Sequence, residues 1–174
     1  MELFATNLFF RGDSAEQQRH DLCIHGQVTF LIGEDSLSEP DDREWCVSAS
    51  AYRFLRTLKE DHVAGHEEYL IPCCGHFMVP SEDGEGVDII GCSNGIDFSV
   101  RHEDGAVLIE TAAGKVYTVS YEDYESVVVD YALQIYDYYE KSPARYIEND
   151  HDGYAFSIFM KDYRRRLTEF VDLL

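Results

Sequence analysis

Apolar and polar residues alternate near the amino terminus of the chain. Val28, Phe30 and Ile32 are separated by single residues, a spacing that predicts a half-buried strand. The segment MELFATNLFF at residues 1–10 is a candidate hairpin partner for this strand. An acidic loop with one proline is expected to follow, from residue 34 to residue 44.

The period then changes from two residues to that of a helix. The apolar positions that share one face of this helix are Ala51, Tyr52, Leu55 and Leu58. The basic positions expected outside that face are Arg53, Arg56 and Lys59. Ser48 or Ser50 can cap the helix, which should end near Asp61.

From Tyr69 to Ser120 the pattern predicts an antiparallel meander. Ile96, Phe98 and Val100 alternate with polar residues in one of its strands, as expected for a strand with one buried face. Turn signals divide the segment, including EDG at residues 103–105 and AGK at residues 113–115.

Two helices are predicted at the carboxyl end. The first runs from Tyr121 to about Tyr139, with apolar residues three and four positions apart, and Pro143 stops it. The last begins near Gly153. Its apolar stripe consists of Phe156, Phe159, Tyr163, Leu167, Phe170 and Leu174. The whole pattern predicts an α+β fold in a single domain over residues 1–174, with about three helices packed on one face of a mostly antiparallel sheet.

Charge narrows the choice of partner. The chain has 14 Lys and Arg against 34 Asp and Glu, a formal net charge of −20, with 45% hydrophobic residues. Such a balance disfavours direct binding to nucleic acid, because the only basic cluster is RRR at residues 164–166. No membrane span and no signal peptide are expected, so the predicted location is the cytoplasm.

Histidine and cysteine concentrate between residues 62 and 76. His62, His66, Cys73 and His76 are candidate zinc ligands, with Cys74 beside them. The alternative is that the cysteines are small buried hydrophobes next to a turn, and no cofactor is then expected. All five cysteines are expected to be reduced thiols, since their number is odd and no secretion signal precedes them. Cys92 is expected to be structural, because an acidic chain opposes thiolate formation.

The helix that begins at Tyr121 carries the most informative surface. Candidate partner-binding residues on it are Glu122, Asp123, Glu125, Asp130, Asp137, Glu140 and Tyr138. Tyrosine is common at protein interfaces, and a basic partner would relieve the repulsion among the carboxylates. In the alternative, the tyrosines pack inward and the carboxylates are only solvated.

The run GCSNGIDFSV at residues 91–100, a hairpin and then an acidic amphipathic helix resemble small acidic bacterial proteins, including immunity proteins of polymorphic toxin systems. The resemblance covers roughly residues 68–142, and it implies a cytosolic protein that binds a toxin domain tightly. The net charge adds the expectation that this partner is basic, and the absence of catalytic motifs favours a binding protein over an enzyme. No Walker loop, GxGxxG, GxSxG or HExxH motif occurs. Two alternatives are a DNA mimic that inhibits a DNA-binding enzyme and a metal-binding protein or metalloenzyme that uses the cluster at residues 62–76.

Overall fold

The structure is a computed structural model that describes residues 1–39, 43–65, 68–75 and 77–172. Within these residues, four helices and several open antiparallel sheets form the predicted α+β fold. The strands of the amino-terminal sheet are β1 (Glu2–Phe9), β2 (His25–Ile32), β3 (Asp35–Ser38) and β4 (Trp45–Cys46). The helices are α1 (Ala15–Gln18), α2 (Val47–Arg56), α3 (Tyr121–Lys141) and α4 (Asp150–Thr168).

The predicted hairpin at the amino terminus is confirmed. Strand β2 pairs with β1 along most of its length, and Val28, Phe30 and Ile32 point into the core. Strand β3 lies inside the segment that was predicted to be a loop. Its residues are mostly polar, so no apolar period marks it, and the Ser38 hydroxyl holds it by donating a 2.7 Å hydrogen bond to the carbonyl of Val28.

Helix α3 closes the free edge of β1. The side-chain amide of Gln134 accepts a hydrogen bond from the Ala5 N–H at 3.0 Å and donates one to the Ala5 carbonyl at 2.6 Å. The Tyr138 hydroxyl donates to the carbonyl of Leu8 at 2.9 Å. Backbone groups on the outer side of an edge strand are thereby satisfied by side chains.

The middle of the chain folds as one hairpin nested inside another. Its strands are β5 (Ile71–Pro72), β6 (Phe77–Pro80), β7 (Val87–Ile90) and β8 (Gly95–Ile96). Strand β6 pairs with β7, and β5 pairs with β8 outside them. A three-stranded meander follows, made of β9 (Ser99–Glu103), β10 (Ala106–Glu110) and β11 (Val116–Ser120). Asp104 and Gly105 have φ of 48° and 82°, so the predicted turn between β9 and β10 is confirmed.

The ends of the helices differ from their predicted positions. Helix α2 begins at Val47 and ends at Arg56, five residues before the predicted end at Asp61. The Ser48 hydroxyl does not cap it, because this group is buried and accepts the N–H of Ile24 at 3.1 Å. Helix α4 begins before Gly153, because the side chain of Asn149 caps it.

Arg53 is the main error in the predicted face of α2. It is buried, and its guanidinium donates hydrogen bonds to the carbonyls of Tyr69 and Ile89 at 2.5 Å and 2.7 Å. One carbonyl belongs to Tyr69, just before β5, and the other to Ile89 in β7. Satisfying buried carbonyls offsets the cost of burying the charge.

Candidate functional site

Two loops that carry three cysteines face each other at one end of the nested hairpins. One loop follows β5 and contains Cys73 and Cys74, and the other follows β7 and contains Cys92. Strands β5 and β8 form the outer pair, and β6 and β7 form the inner pair. The first loop connects β5 to β6 and the second connects β7 to β8, so both loops lie at the same end of the nested hairpins. The fold therefore brings together residues that are 19 positions apart.

The loops are joined by backbone contacts. The Cys73 N–H donates to the carbonyl of Asn94 at 3.0 Å, and the Cys92 N–H donates to Cys74 Sγ at 3.1 Å. Gly91 allows the close approach, since a Cβ added there would lie 2.9 Å from the Cys74 carbonyl oxygen.

The three sulfur atoms of these loops lie within 4.8 Å of one another. Cys73 and Cys92 form a disulfide, whereas Cys74 is a free, half-buried thiol. The expectation that all five cysteines are reduced is therefore wrong for this pair. The nested pairing of the strands, which brings Cys73 and Cys92 together, is the physical reason.

The predicted zinc cluster is only partly assembled. His62 does not join the sulfur atoms; its Nε2 lies 2.8 Å from Asp97 Oδ1, and its backbone forms a bridge with Val100. The sequence predicted His62 as a neighbour of Cys73, but the structure has Cys92 beside Cys73 instead. The other two predicted ligands, His66 and His76, lie outside the described residues.

Cys92 and His102 do not form a nucleophile pair. Cys92 is joined to Cys73, and His102 Nδ1 lies 2.9 Å from Asp61 Oδ1. Hydrogen bonds from the ring and the backbone N–H of His102 lower the pKa of Asp61. These contacts hold the end of β9 against the segment that follows α2.

The outer face of α3 carries most of the predicted partner-binding residues. The exposed carboxylates on it belong to Glu122, Asp123, Asp130, Asp137 and Glu140, while Glu125 is half-buried. Within the described part of the chain, only Asp137 pairs with a base, at 2.8 Å from Lys141 Nζ. Asp123 also serves the helix itself, because its N–H and side chain bond the capping hydroxyl of Ser120.

The tyrosines of α3 point mostly away from that face. The buried ones are Tyr124, Tyr131, Tyr136 and Tyr139. Tyr138, the one tyrosine among the predicted partner-binding residues, is half-buried, and its ring packs on Phe10 with the centroids 5.6 Å apart. Burial raises the pKa of several of these phenols, and that of Tyr124 rises strongly. The exposed surface of α3 is consequently carboxylate-rich and poor in aromatic rings.

Two of the three arginines in the basic cluster at residues 164–166 bind one buried carboxylate of the same helix. The buried carboxylate of Asp162 accepts hydrogen bonds from Arg165 Nε at 3.0 Å, from Arg166 Nε at 2.8 Å and from the Tyr52 hydroxyl at 2.6 Å. Burial raises the pKa of Asp162, but these bonds outweigh it and lower the pKa below 3.8. Burial and the same carboxylate raise the pKa of Tyr52 to about 12. Of the three arginines at residues 164–166, Arg164 is the one for which the described part of the chain shows no ion pair with Asp162.

A second pair of cysteines is sealed in the core. Cys23 and Cys46 are both fully buried, and Cys46 is the residue that precedes α2. A hydrogen bond between the two thiols lowers the pKa of Cys46 and raises that of Cys23. Gly75 lies over this pair, since a Cβ added there would be 2.9 Å from Cys46 Sγ.

Two features of the site could have been found from the sequence. Strands around the EDGEG turn at residues 82–86 form a hairpin, so residues just outside them must face each other, which places Cys92 beside Cys74. Asp162 interrupts the apolar stripe of α4 and has arginines three and four positions later, the spacing of helical ion pairs.

None of the helices in the described part of the chain is long and apolar enough to cross a lipid bilayer. No family model, curated protein or solved structure matches this chain.

Proposed function

We propose that this chain is an acidic cytoplasmic binding protein that neutralises a basic protein partner, in the manner of an immunity protein bound to a toxin domain. The observation that carries the proposal is the outer face of α3. Its carboxylates stand exposed over five turns, and among the described residues one of them, Asp137, forms an ion pair, with Lys141. Such a surface raises the association rate of a basic partner and selects against acidic ones.

The spacing of the carboxylates favours a protein partner over DNA mimicry. Asp123, Asp130 and Asp137 recur every seven residues, which separates them by about 10.5 Å along the helix. Duplex DNA carries one phosphate charge about every 1.7 Å of its axis. The charge density of α3 is much lower than that of a duplex, so the helix supports electrostatic attraction rather than imitation of a phosphate backbone.

The proposal is tested in two steps. The tagged protein is first used to capture partners from the cells that produce it, with parallel washes at low and high salt. Association of the identified partner is then measured with a Glu122→Gln/Asp130→Asn/Asp137→Asn variant. Removing three unit charges about 10 Å from a basic partner should slow association roughly eightfold at low ionic strength and about twofold at 0.15 M salt.

A matched control removes the same charge elsewhere. Glu82→Gln/Glu85→Gln/Asp88→Asn changes three exposed carboxylates of the β6–β7 hairpin, outside α3. Both triple variants change the net charge by three, so a loss confined to the α3 variant assigns the effect to that face. Equal rates for the two variants at every salt concentration would refute this face as the binding surface. Displacement of the partner by added duplex DNA would instead favour the DNA-mimic alternative.

A further inference from the structure

The three cysteines of the facing loops have a composition and spacing suited to a soft cation. Zinc binds thiolates at about 2.3 Å in a tetrahedron, which requires sulfur atoms about 3.8 Å apart. The sulfurs of Cys73, Cys74 and Cys92 already lie within 4.8 Å of one another. Small adjustments within the two loops are sufficient to reach the zinc geometry.

The surroundings of the sulfurs are also suited to holding thiolates. The Cys92 N–H points at Cys74 Sγ, and a backbone N–H that donates to a ligand sulfur stabilises its charge and fixes its direction. The hydrogen bond from Cys73 to Asn94 ties the two loops together from the other side. The sulfurs are therefore held by backbone geometry, as a metal site requires.

We propose that reduction of the Cys73–Cys92 disulfide creates a zinc site made of Cys73, Cys74 and Cys92. Two equivalents of a small thiol reductant break the S–S bond, and they leave as one disulfide while Cys73 and Cys92 each gain a proton. Binding of one Zn²⁺ then releases three protons from the three thiols. The complex of one Zn²⁺ with three thiolates has a charge of −1, and the fourth position is open to water or another ligand. This site is separate from the acidic face of α3 and does not depend on the function proposed for it.

The first experiment measures zinc affinity of the full chain by competition with a coloured chelator, with and without reductant. Reduced protein is expected to bind one Zn²⁺ per chain, and oxidised protein is expected to bind at least about a hundredfold more weakly. Cys74→Ser and Cys92→Ser should each weaken binding at least about tenfold. Ser93→Ala changes an exposed neighbour in the same loop and should leave the affinity within about twofold.

A second measurement needs no variant and guards against misfolding of the serine variants. Iodoacetamide is added to folded, reduced wild-type protein with and without Zn²⁺, and the modified peptides are quantified by mass spectrometry. Zinc should slow modification of Cys73, Cys74 and Cys92 together, while fully buried Cys23 and Cys46 stay unmodified in both samples.

Two results would overturn the proposed zinc site. Zinc binding that is equally tight in oxidised protein or in the Cys74→Ser and Cys92→Ser variants would overturn the proposal. Modification of the three outer cysteines at the same rate with saturating zinc would overturn it as well. A cobalt-loaded sample offers a direct view of the ligands, since thiolate coordination produces a sulfur-to-metal charge-transfer band that each serine variant should reduce.

Discussion

The carboxylate of Asp162 should be among the most sensitive positions of the fold. Replacing it by alanine removes hydrogen bonds from Tyr52, Arg165 and Arg166 to a side chain that is 1% exposed. Hydrogen bonds to a charged group each contribute about 1.5–3 kcal/mol, but the Arg165 side chain is half exposed, so its share is small. Tyr52 and Arg166 dominate, and the expected loss is about 3–5 kcal/mol.

A loss of this size is measurable by urea unfolding or by thermal melting followed by circular dichroism. For a chain of this length it corresponds to a decrease of roughly 6–20 °C in Tm. Asp130→Ala, on the exposed face of α3, is the matched surface control and should stay within about 0.5 kcal/mol of the wild type. A cost below about 1 kcal/mol for Asp162→Ala would refute the reasoning.

A double-mutant cycle measures how much the hydrogen bond between Tyr52 and Asp162 contributes to stability. Tyr52→Phe removes a hydroxyl that donates to Asp162 and accepts the Val87 N–H at 3.3 Å. The effects of Tyr52→Phe and Asp162→Ala should be non-additive by about 1–3 kcal/mol, because both variants break the same bond. Strict additivity would show that the two side chains do not stabilise each other.

The Asp162 carboxylate should also make the stability of the protein decrease as the pH falls below about 4. Its folded-state pKa lies below its ordinary value of 3.8, so its contribution is fully present above that value and is lost as the pH falls through the folded-state pKa. The stability difference between the wild type and Asp162→Asn should be constant between about pH 5 and pH 7 and shrink below pH 3.8. A difference that grows on acidification would contradict the assigned direction.

Three further changes test separate parts of the structure. Gly75→Ala would place a Cβ 2.5 Å from that of Ala49, so we expect a loss of about 1–3 kcal/mol in unfolding free energy; an unchanged Tm would show that the loop yields freely. Gln134→Ala removes two hydrogen bonds to Ala5 and should cost about 1–2 kcal/mol and speed hydrogen exchange of the Ala5 amide. His76→Ala tests whether the sequence-predicted ligand His76 fills the fourth position of the proposed zinc site. Binding at least about tenfold weaker would add His76 to the three cysteines, and unchanged affinity would leave that position to water.

Local patterns were sufficient for the elements whose period is strong. The alternation at Val28, Phe30 and Ile32 predicts β2 correctly, and all three side chains are buried. The long apolar period of α3 and the stop at Pro143 likewise locate that helix correctly. Strand β3 was missed because its pairing depends on backbone and hydroxyl hydrogen bonds, which leave no hydrophobic signal.

Tertiary contacts explain the remaining errors. Arg53 carries a charge and was expected outside, but two buried carbonyls that belong to distant segments need its donors. Closeness along the chain suggested that His62 joins Cys73, whereas strand pairing brings Cys92 there instead. The charge and the exposed carboxylates of α3 could be predicted, because they depend only on composition and helical period.

The amide of Gln134 has a consequence for how other chains can approach this molecule. An edge strand with free backbone groups can accept an additional strand from a partner or from a second copy. At the middle of β1 those groups are already occupied by a side chain from α3, so an incoming strand would have to displace Gln134 first. Strand addition is thus opposed at this edge, and loss of a single amide would expose the chain to self-association through β1.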